Sequence, residues 1–240
     1  MSNKDPNPSF VPSGPCIGFA HRGARAYAPE NTMEAFQLAL RLGATGLESD
    51  VWLTSDKTPV LDHDGVMRRT LRSRPLRNVP RVELPTHIPE LRTLLLDIPA
   101  AIPLSLDIKD VEAFGPAFQA CVSVRPQNLS DVYFCHPDLE ILQSNRSQCQ
   151  LISFVSSTRL VRMTKGPEVH AAQLRESNIE VVNMPYGDWT GGLVALFHRF
   201  GIRCFAWDCQ QPDQIRTVHR MGVDGIYSDW PDRLVDELHT

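Results

Sequence analysis

IGFAHRGARAYAPENTMEAFQLALRLGATGLESDVWLTSDKTPVLDHD, residues 17–64, places two apolar runs on either side of an amphipathic one. Ile17 to His21 is a short apolar run ending in a polar cluster. Across 31–42, Met33, Phe36 and Leu40 with Ala35, Leu38 and Ala39 form a stripe at helical spacing. Gly43 then acts as a stop signal. In Gly46–Leu53, Leu47, Val51 and Leu53 alternate with Glu48 and Asp50, as on a strand. A Ser55-Asp56-Lys57 turn leads to a short extended piece, Pro59–His63. The stretch therefore reads as strand, helix, strand, with a polar residue at the end of each strand.

Outward from this unit the alternation continues. Residues 64–87 are polar, rich in Arg and Pro, and read as a loop. A helix is expected over 88–98, a strand over 102–109, a helix over 111–124, a strand over 132–135 and a helix from Pro137. Strands at 151–155, 181–184, 202–207 and 225–228 follow, each with its helix, the last at 231–239. Eight strand–helix units imply an α/β fold, a (β/α)8 TIM barrel with a short insertion after strand 2. A doubly wound open sheet is the alternative. Against it, no glycine-rich dinucleotide fingerprint follows the first strand, and polar residues recur at several strand ends, which converge in a barrel.

The chain has 240 residues, which fits one such domain, expected over 16–240. Residues 1–15, with four prolines and no apolar core of a signal peptide, read as a disordered N-terminal tail. A net charge of −4 gives no global attraction to nucleic acid or an anionic membrane. The one basic run, Arg68 to Arg81, holds six arginines and reads as a solvated loop or a patch that steers phosphate or lipid headgroups. None of the six cysteines forms a C-x-x-C pair, so free thiols and a cytoplasmic location are expected. No stretch is long and apolar enough for membrane insertion.

Glu48 and Asp50 lie two apart on a strand, so both carboxylates point the same way. Their repulsion calls for a cation between them, and a hard divalent ion such as Mg2+ or Ca2+ suits carboxylate oxygens. An edge strand with a solvated polar face is the bland alternative. Asp107 and Lys109 repeat this spacing in LSLDIKD, offering a third oxygen ligand and a cation for an anionic substrate, or simply an ion pair. His21 and His63, at two strand ends, suit general acid and base work. Arg22 presents planar donors that match a phosphate. Asn31 reads as the cap of the first helix, with Glu34 completing a capping box. Glu30 is free to bind metal, orient Arg22 or receive a substrate hydroxyl. His136 ends a strand and is placed to reach the same mouth. No G-x-S-x-G, P-loop or H-E-x-x-H motif occurs.

H-R-G from His21, P-E-N-T from Pro29, E-x-D from Glu48, H-D from His63, D-I-K at 107–109, Trp207 and GVDGIYSDWPDRL at 222–234 together resemble the glycerophosphodiester phosphodiesterase family. The resemblance covers nearly the whole chain from residue 17. It implies a (β/α)8 barrel using Mg2+ or Ca2+ that cleaves glycerophosphodiesters to sn-glycerol 3-phosphate and an alcohol. It implies that His21 and His63 are the acid–base pair, and that Glu48, Asp50 and Asp107 hold the metal. Arg22 and Lys109 would contact the phosphate, Glu30 would support the site, and Trp207 would line the pocket near the glycerol or leaving group.

The chain departs from the family pattern in three places. Asp107 stands where Glu is common. Only 24 residues, 64–87, replace a usually larger lobe. Cys135-His136-Pro137-Asp138 replaces a common Ser-Phe. The partner is expected to be a small-molecule glycerophosphodiester, with water or a neighbouring hydroxyl as the nucleophile. A lysophospholipase D or sphingomyelinase D-like activity on the same site is the alternative enzyme reading. A non-enzymatic ligand-binding barrel is the third.

Overall fold

The computed structural model describes residues 14–69 and 72–239. The tail expected over 1–15 therefore falls almost wholly outside the described residues.

Eight parallel strands close into a barrel: β1 (Ile17–Ala20), β2 (Gly46–Leu53), β6 (Leu104–Ile108), β7 (Val132–His136), β8 (Ser153–Ser157), β9 (Val181–Pro185), β10 (Arg203–Trp207) and β11 (Gly225–Ser228). Each pairs with the next in that order, and β1 pairs with both β11 and β2 to complete the ring. Helices α1 (Met33–Arg41), α2 (Leu91–Asp97), α3 (Phe114–Val124), α4 (Leu139–Arg146), α5 (Pro167–Glu176), α6 (Gly191–Arg199), α7 (Pro212–Arg220) and α8 (Pro231–Leu238) follow in turn. This is a (β/α)8 TIM barrel, as the alternation of runs implies.

Two layers of apolar packing hold it. Outward-facing strand residues such as Leu47, Leu106, Phe134 and Ile226 pack against the buried stripes of the helices. Inward-facing residues fill the barrel: Phe19, Tyr133, Cys135, Val155, Val181, Phe205 and Tyr227. Phe19 is central there. Its ring stacks on Tyr227 at 4.8 Å and meets Phe205 at 5.4 Å and Tyr133 edge-on at 5.8 Å. Glycines make the room for it. A Cβ at Gly46 would lie 2.7 Å from the Phe19 ring, and one at Gly225 would lie 2.7 Å from the Phe205 ring.

The segment after β2 is more ordered than its composition implies. β3 (Pro59–Leu61) runs antiparallel to β2, and β4 (Val66–Arg69) and β5 (Arg72–Pro75) form a hairpin within the expected loop. Val60, Met67, Leu76, Val79, Leu84 and Ile88 build a small core of their own, with Trp52 packed against it. Ile88 belongs to that core, and α2 begins three residues later than expected. Four of the arginines here are paired with acids: Arg68 with Asp64, Arg74 with Glu83, Arg77 with the more distant Asp110 and Arg81 with Glu90.

The cap of α1 is also a correction. Thr32, not Asn31, caps the helix, its hydroxyl accepting from the Ala35 amide. Asn31 has a left-handed backbone (φ 56°) that turns its side chain away from the helix.

Removing the central ring tests the inner layer. Phe19→Ala is expected to lower unfolding free energy by about 3–5 kcal/mol, read from urea denaturation followed by circular dichroism. Val82→Ser, at a site 89% exposed, is expected to stay within about 0.5 kcal/mol of the parent.

Candidate active site

The C-terminal ends of the strands surround a cavity of about 470 Å³. Its wall includes His21, Arg22, Glu48, Asp107, Lys109, Trp207 and Asp229. Strand alternation explains the convergence. Glu48 follows Gly46, Asp107 follows Ser105 and Trp207 follows Phe205 at two-residue spacing on the inner face.

Glu48 and Asp50 share that face but have different surroundings. Glu48 lines the cavity. Asp50, 1% exposed, is tied down by its neighbours. Its Oδ2 accepts from Asn31 Nδ2 at 3.0 Å, and its Oδ1 lies 3.1 Å from Lys109 Nζ. Arg22 Nε lies 3.2 Å from Asp50 Oδ2 without hydrogen-bond alignment. Lys109 also donates to Asp107 Oδ2 at 2.5 Å, so it spans two acids. Asn31 Oδ1 in turn accepts from the Ser49 hydroxyl at 2.6 Å.

Left-handed backbone at Arg22 (φ 53°) and Gly23 (φ 78°) turns the chain at the end of β1. A side chain at residue 23 would meet the Ala35 backbone at 2.7 Å, so this turn needs glycine. The turn aims the Arg22 amide at Glu48 Oε2, 2.9 Å away. The Arg22 guanidinium reaches Glu30 at 3.1 Å, and Arg25 reaches Glu30 at 2.6 Å and Asp229 at 3.3 Å. Glu30 thus serves as an anchor for two arginines.

His21 sits between two acids. Its Nδ1 is 2.6 Å from Asp229 Oδ1, and its Nε2 is 3.8 Å from Glu48 Oε2. Burial disfavours the imidazolium, but Glu48 and Asp229 outweigh it and raise the His21 pKa. Glu48 is raised too, first by burial and then by Asp50 and Asp107, against the lowering effect of His21. Asp229 is held below the usual carboxylate range by His21 and Arg25, which overcome its burial.

The structure gathers His21, Arg22, Glu48, Asp107, Lys109 and Trp207 around one cavity, with Asp50 and Glu30 directly behind it. His63 is placed differently. It follows β3, its ring meets Asp64 at 2.9 Å and its side chain is 38% exposed, apart from the cavity wall. Its carbonyl accepts from Trp52 Nε1 at 3.3 Å. His136 bonds the Asp138 amide at 3.0 Å and likewise stays out of the wall.

Two contributors, Asp229 and Arg25, were not singled out from the sequence, and a third, Asn31, was given another role. Asp229 lies just after β11, and the signal available was an acid immediately beyond a strand end. Arg25 gave no signal beyond its closeness to His21. Asn31 looked like an ordinary cap.

Among the described residues, the one group of three or more His, Cys, Asp or Glu residues whose ligand atoms all lie within 4.8 Å of one another is His198, Cys204 and Asp224. These lie at the opposite end of the barrel. Asp224 there accepts from His198 and from the Cys204 amide, and burial keeps the Cys204 thiol protonated. At the mouth, Lys109 stands between Asp50 and Asp107.

Comparison with known proteins bears on this geometry. The model of the glycerophosphoryl diester phosphodiesterase family matches residues 21–111 and 111–233. YhdW of Bacillus subtilis, provisionally named a glycerophosphodiester phosphodiesterase, is 26% identical over 91% of this chain and 96% of its own. A glycerophosphodiester phosphodiesterase crystal structure from Thermotoga maritima superposes with a TM-score of 0.81 at 23% identity, covering 93% of this chain and 99% of that one. An Oleispira antarctica phosphodiesterase solved with its product sn-glycerol-3-phosphate gives 0.79 at 20% identity, over 93% and 97% of the two chains.

The roles of Asn31 and Thr32 are separable. Asn31→Ala leaves a buried carboxylate and a buried hydroxyl short of partners, and is expected to cost about 2–4 kcal/mol and to lower activity. Thr32→Ala is expected to cost about 1 kcal/mol with activity intact. Thermal unfolding and turnover measured on both variants check this ranking.

Proposed function

The chain belongs to the glycerophosphoryl diester phosphodiesterase family and is a phosphoric diester hydrolase, and on that premise we propose that it cleaves glycerophosphodiesters to sn-glycerol 3-phosphate and an alcohol. The observation that carries this reading is the cavity itself. An imidazole held between two carboxylates, two further acids, a lysine and an arginine meet at one polar mouth.

Glu48, Asp50 and Asp107 would hold a divalent cation, Mg2+ or Ca2+, of the kind this family generally uses. The donor chemistry fits. All three offer hard oxygen atoms, and Glu48 is raised by burial and by the other two acids, an excess of negative charge that a hard cation relieves. When bound, the ion supplies Lewis acidity to the phosphoryl oxygens.

The remaining work falls to the chain. Arg22 and Lys109 balance charge on the phosphate as it develops. His21 moves a proton at Nε2, because Nδ1 is engaged by Asp229, which fixes the ring and favours its charged form. His63 supplies the second proton transfer. That role requires its ring, now on Asp64, to face the substrate. Trp207 lines the side of the cavity that receives the glycerol or the leaving alcohol.

Polar lining favours a water-soluble diester over a lysophospholipid. Six unpaired cysteines suit the reducing cytoplasm, and no described helix is long and apolar enough to cross a membrane. The catalytic unit is a single domain over 16–240.

His21→Ala and His63→Ala are each expected to lower kcat by more than about a hundredfold in a glycerophosphocholine assay. Activity retained in both removes the acid–base assignment. Chelation is expected to abolish turnover, and added Mg2+ or Ca2+ to restore it. Lysophosphatidylcholine assayed alongside is expected to be the poorer substrate, and the reverse order favours the lipid activity.

A further inference from the structure

Five buried side-chain nitrogen or oxygen atoms have no hydrogen-bond partner among the described residues. Three of them, Arg22 Nε, Asn183 Oδ1 and Trp207 Nε1, belong to residues that line this one cavity. Unmet polar atoms are costly where water is excluded and are rare in folded proteins, so their gathering at one place points to a ligand. Arg22 Nε still faces Asp50 Oδ2 at 3.2 Å as an ion-pair partner. Asn183 Oδ1 and Trp207 Nε1 have no partner among the described residues, and the two residues stand on neighbouring strands, β9 and β10, in parallel register. In the ring of eight strands, β9 lies directly across from β2, which carries Glu48 and Asp50.

The chemistry of the pair is specific. Asn183 is 6% exposed, and its Oδ1 can only accept. A phosphate oxygen also only accepts, so it cannot satisfy this atom. Trp207 Nε1 can only donate. One orphaned acceptor and one orphaned donor on the same cavity wall, two residues apart in register, are the complement of an alcohol hydroxyl, which gives one hydrogen bond and receives another. An acyl chain or a quaternary ammonium group would leave both atoms unpaired.

We propose that Asn183, with Trp207 on the neighbouring strand, is a specificity-determining residue that reads a hydroxyl of the substrate's glycerol moiety. This rests on the glycerophosphodiester reading above. Asn183 selects the substrate from across the barrel, while Arg22 and Lys109, just beyond the ends of β1 and β6, balance the phosphate.

The test uses glycerophosphocholine and two analogues, each lacking one glycerol hydroxyl, assayed for kcat/KM with the parent enzyme, Asn183→Leu and Asn183→Ala. The parent is expected to prefer glycerophosphocholine over at least one analogue by about tenfold or more, since that analogue leaves a buried acceptor unmet. In both variants that ratio is expected to fall to within about twofold, through loss on glycerophosphocholine alone. Thermal unfolding reports whether each variant is folded. Equal losses on all three substrates, or no loss on any, overturn the proposal. So does a parent enzyme that treats the three substrates alike, whatever the variants do. A parent that hydrolyses bis(p-nitrophenyl) phosphate but no glycerophosphodiester overturns the substrate class itself, and this subsite with it.

Discussion

Asp50 and Asp107 stand opposite each other on adjacent parallel strands, both facing into the barrel. Strand spacing alone brings such a pair to about 5 Å, and no fold holds two bare carboxylates there without compensation. Much of the mouth supplies it. Lys109 reaches back to span both acids, Asn31 donates to Asp50, and Arg22 closes over it. The left-handed turns at Arg22 and Asn31 follow from the same demand, because each aims a side chain at β2 that regular backbone would send elsewhere. Strain of about 1–3 kcal/mol at such residues is tolerated where the surroundings fix them. The site and the scaffold are therefore not separate layers. The turn that ends β1 supports the acids, and the acids hold the turn.

The architecture was legible because the strands are buried on both faces and bounded by helical stripes, so the order of apolar runs already spelled out the barrel. The polar strand ends were legible for the same reason, since Glu48 and Asp107 interrupt runs that are otherwise apolar, whereas Trp207 was reached only through the family resemblance. The hairpin at 66–75 was not. Its strands, VMRR and RSRP, show no alternation, and what orders them is a small core drawn from residues scattered between Val60 and Ile88. Asn31 was misread as a cap because Thr32 beside it does that job, and only the backbone angle separates the two roles. Asp229 gave a weak signal because its importance lies in a contact with His21 more than two hundred residues earlier. His63 lies outside the cavity wall with its ring on Asp64, a placement that its position after a strand does not reveal.

The two sides of the cavity differ in kind. On the β1, β2 and β6 side, charges are dense and mutually satisfied. On the β9 and β10 strands, Asn183 Oδ1 and Trp207 Nε1 are neutral and unmet. Charge complementarity suits an anion that many molecules share, whereas unmet neutral groups reward one particular shape. On the proposed reading, capture of a phosphate and choice of what is attached to it would fall to opposite walls of the barrel.

The segment after β2 has a hydrophobic core distinct from that of the barrel, and its arginines find their acids mostly nearby. A piece that largely balances its own packing and charge behaves as a cassette. Substitutions inside it are therefore felt first by its own small core, and the register of the barrel strands does not depend on them.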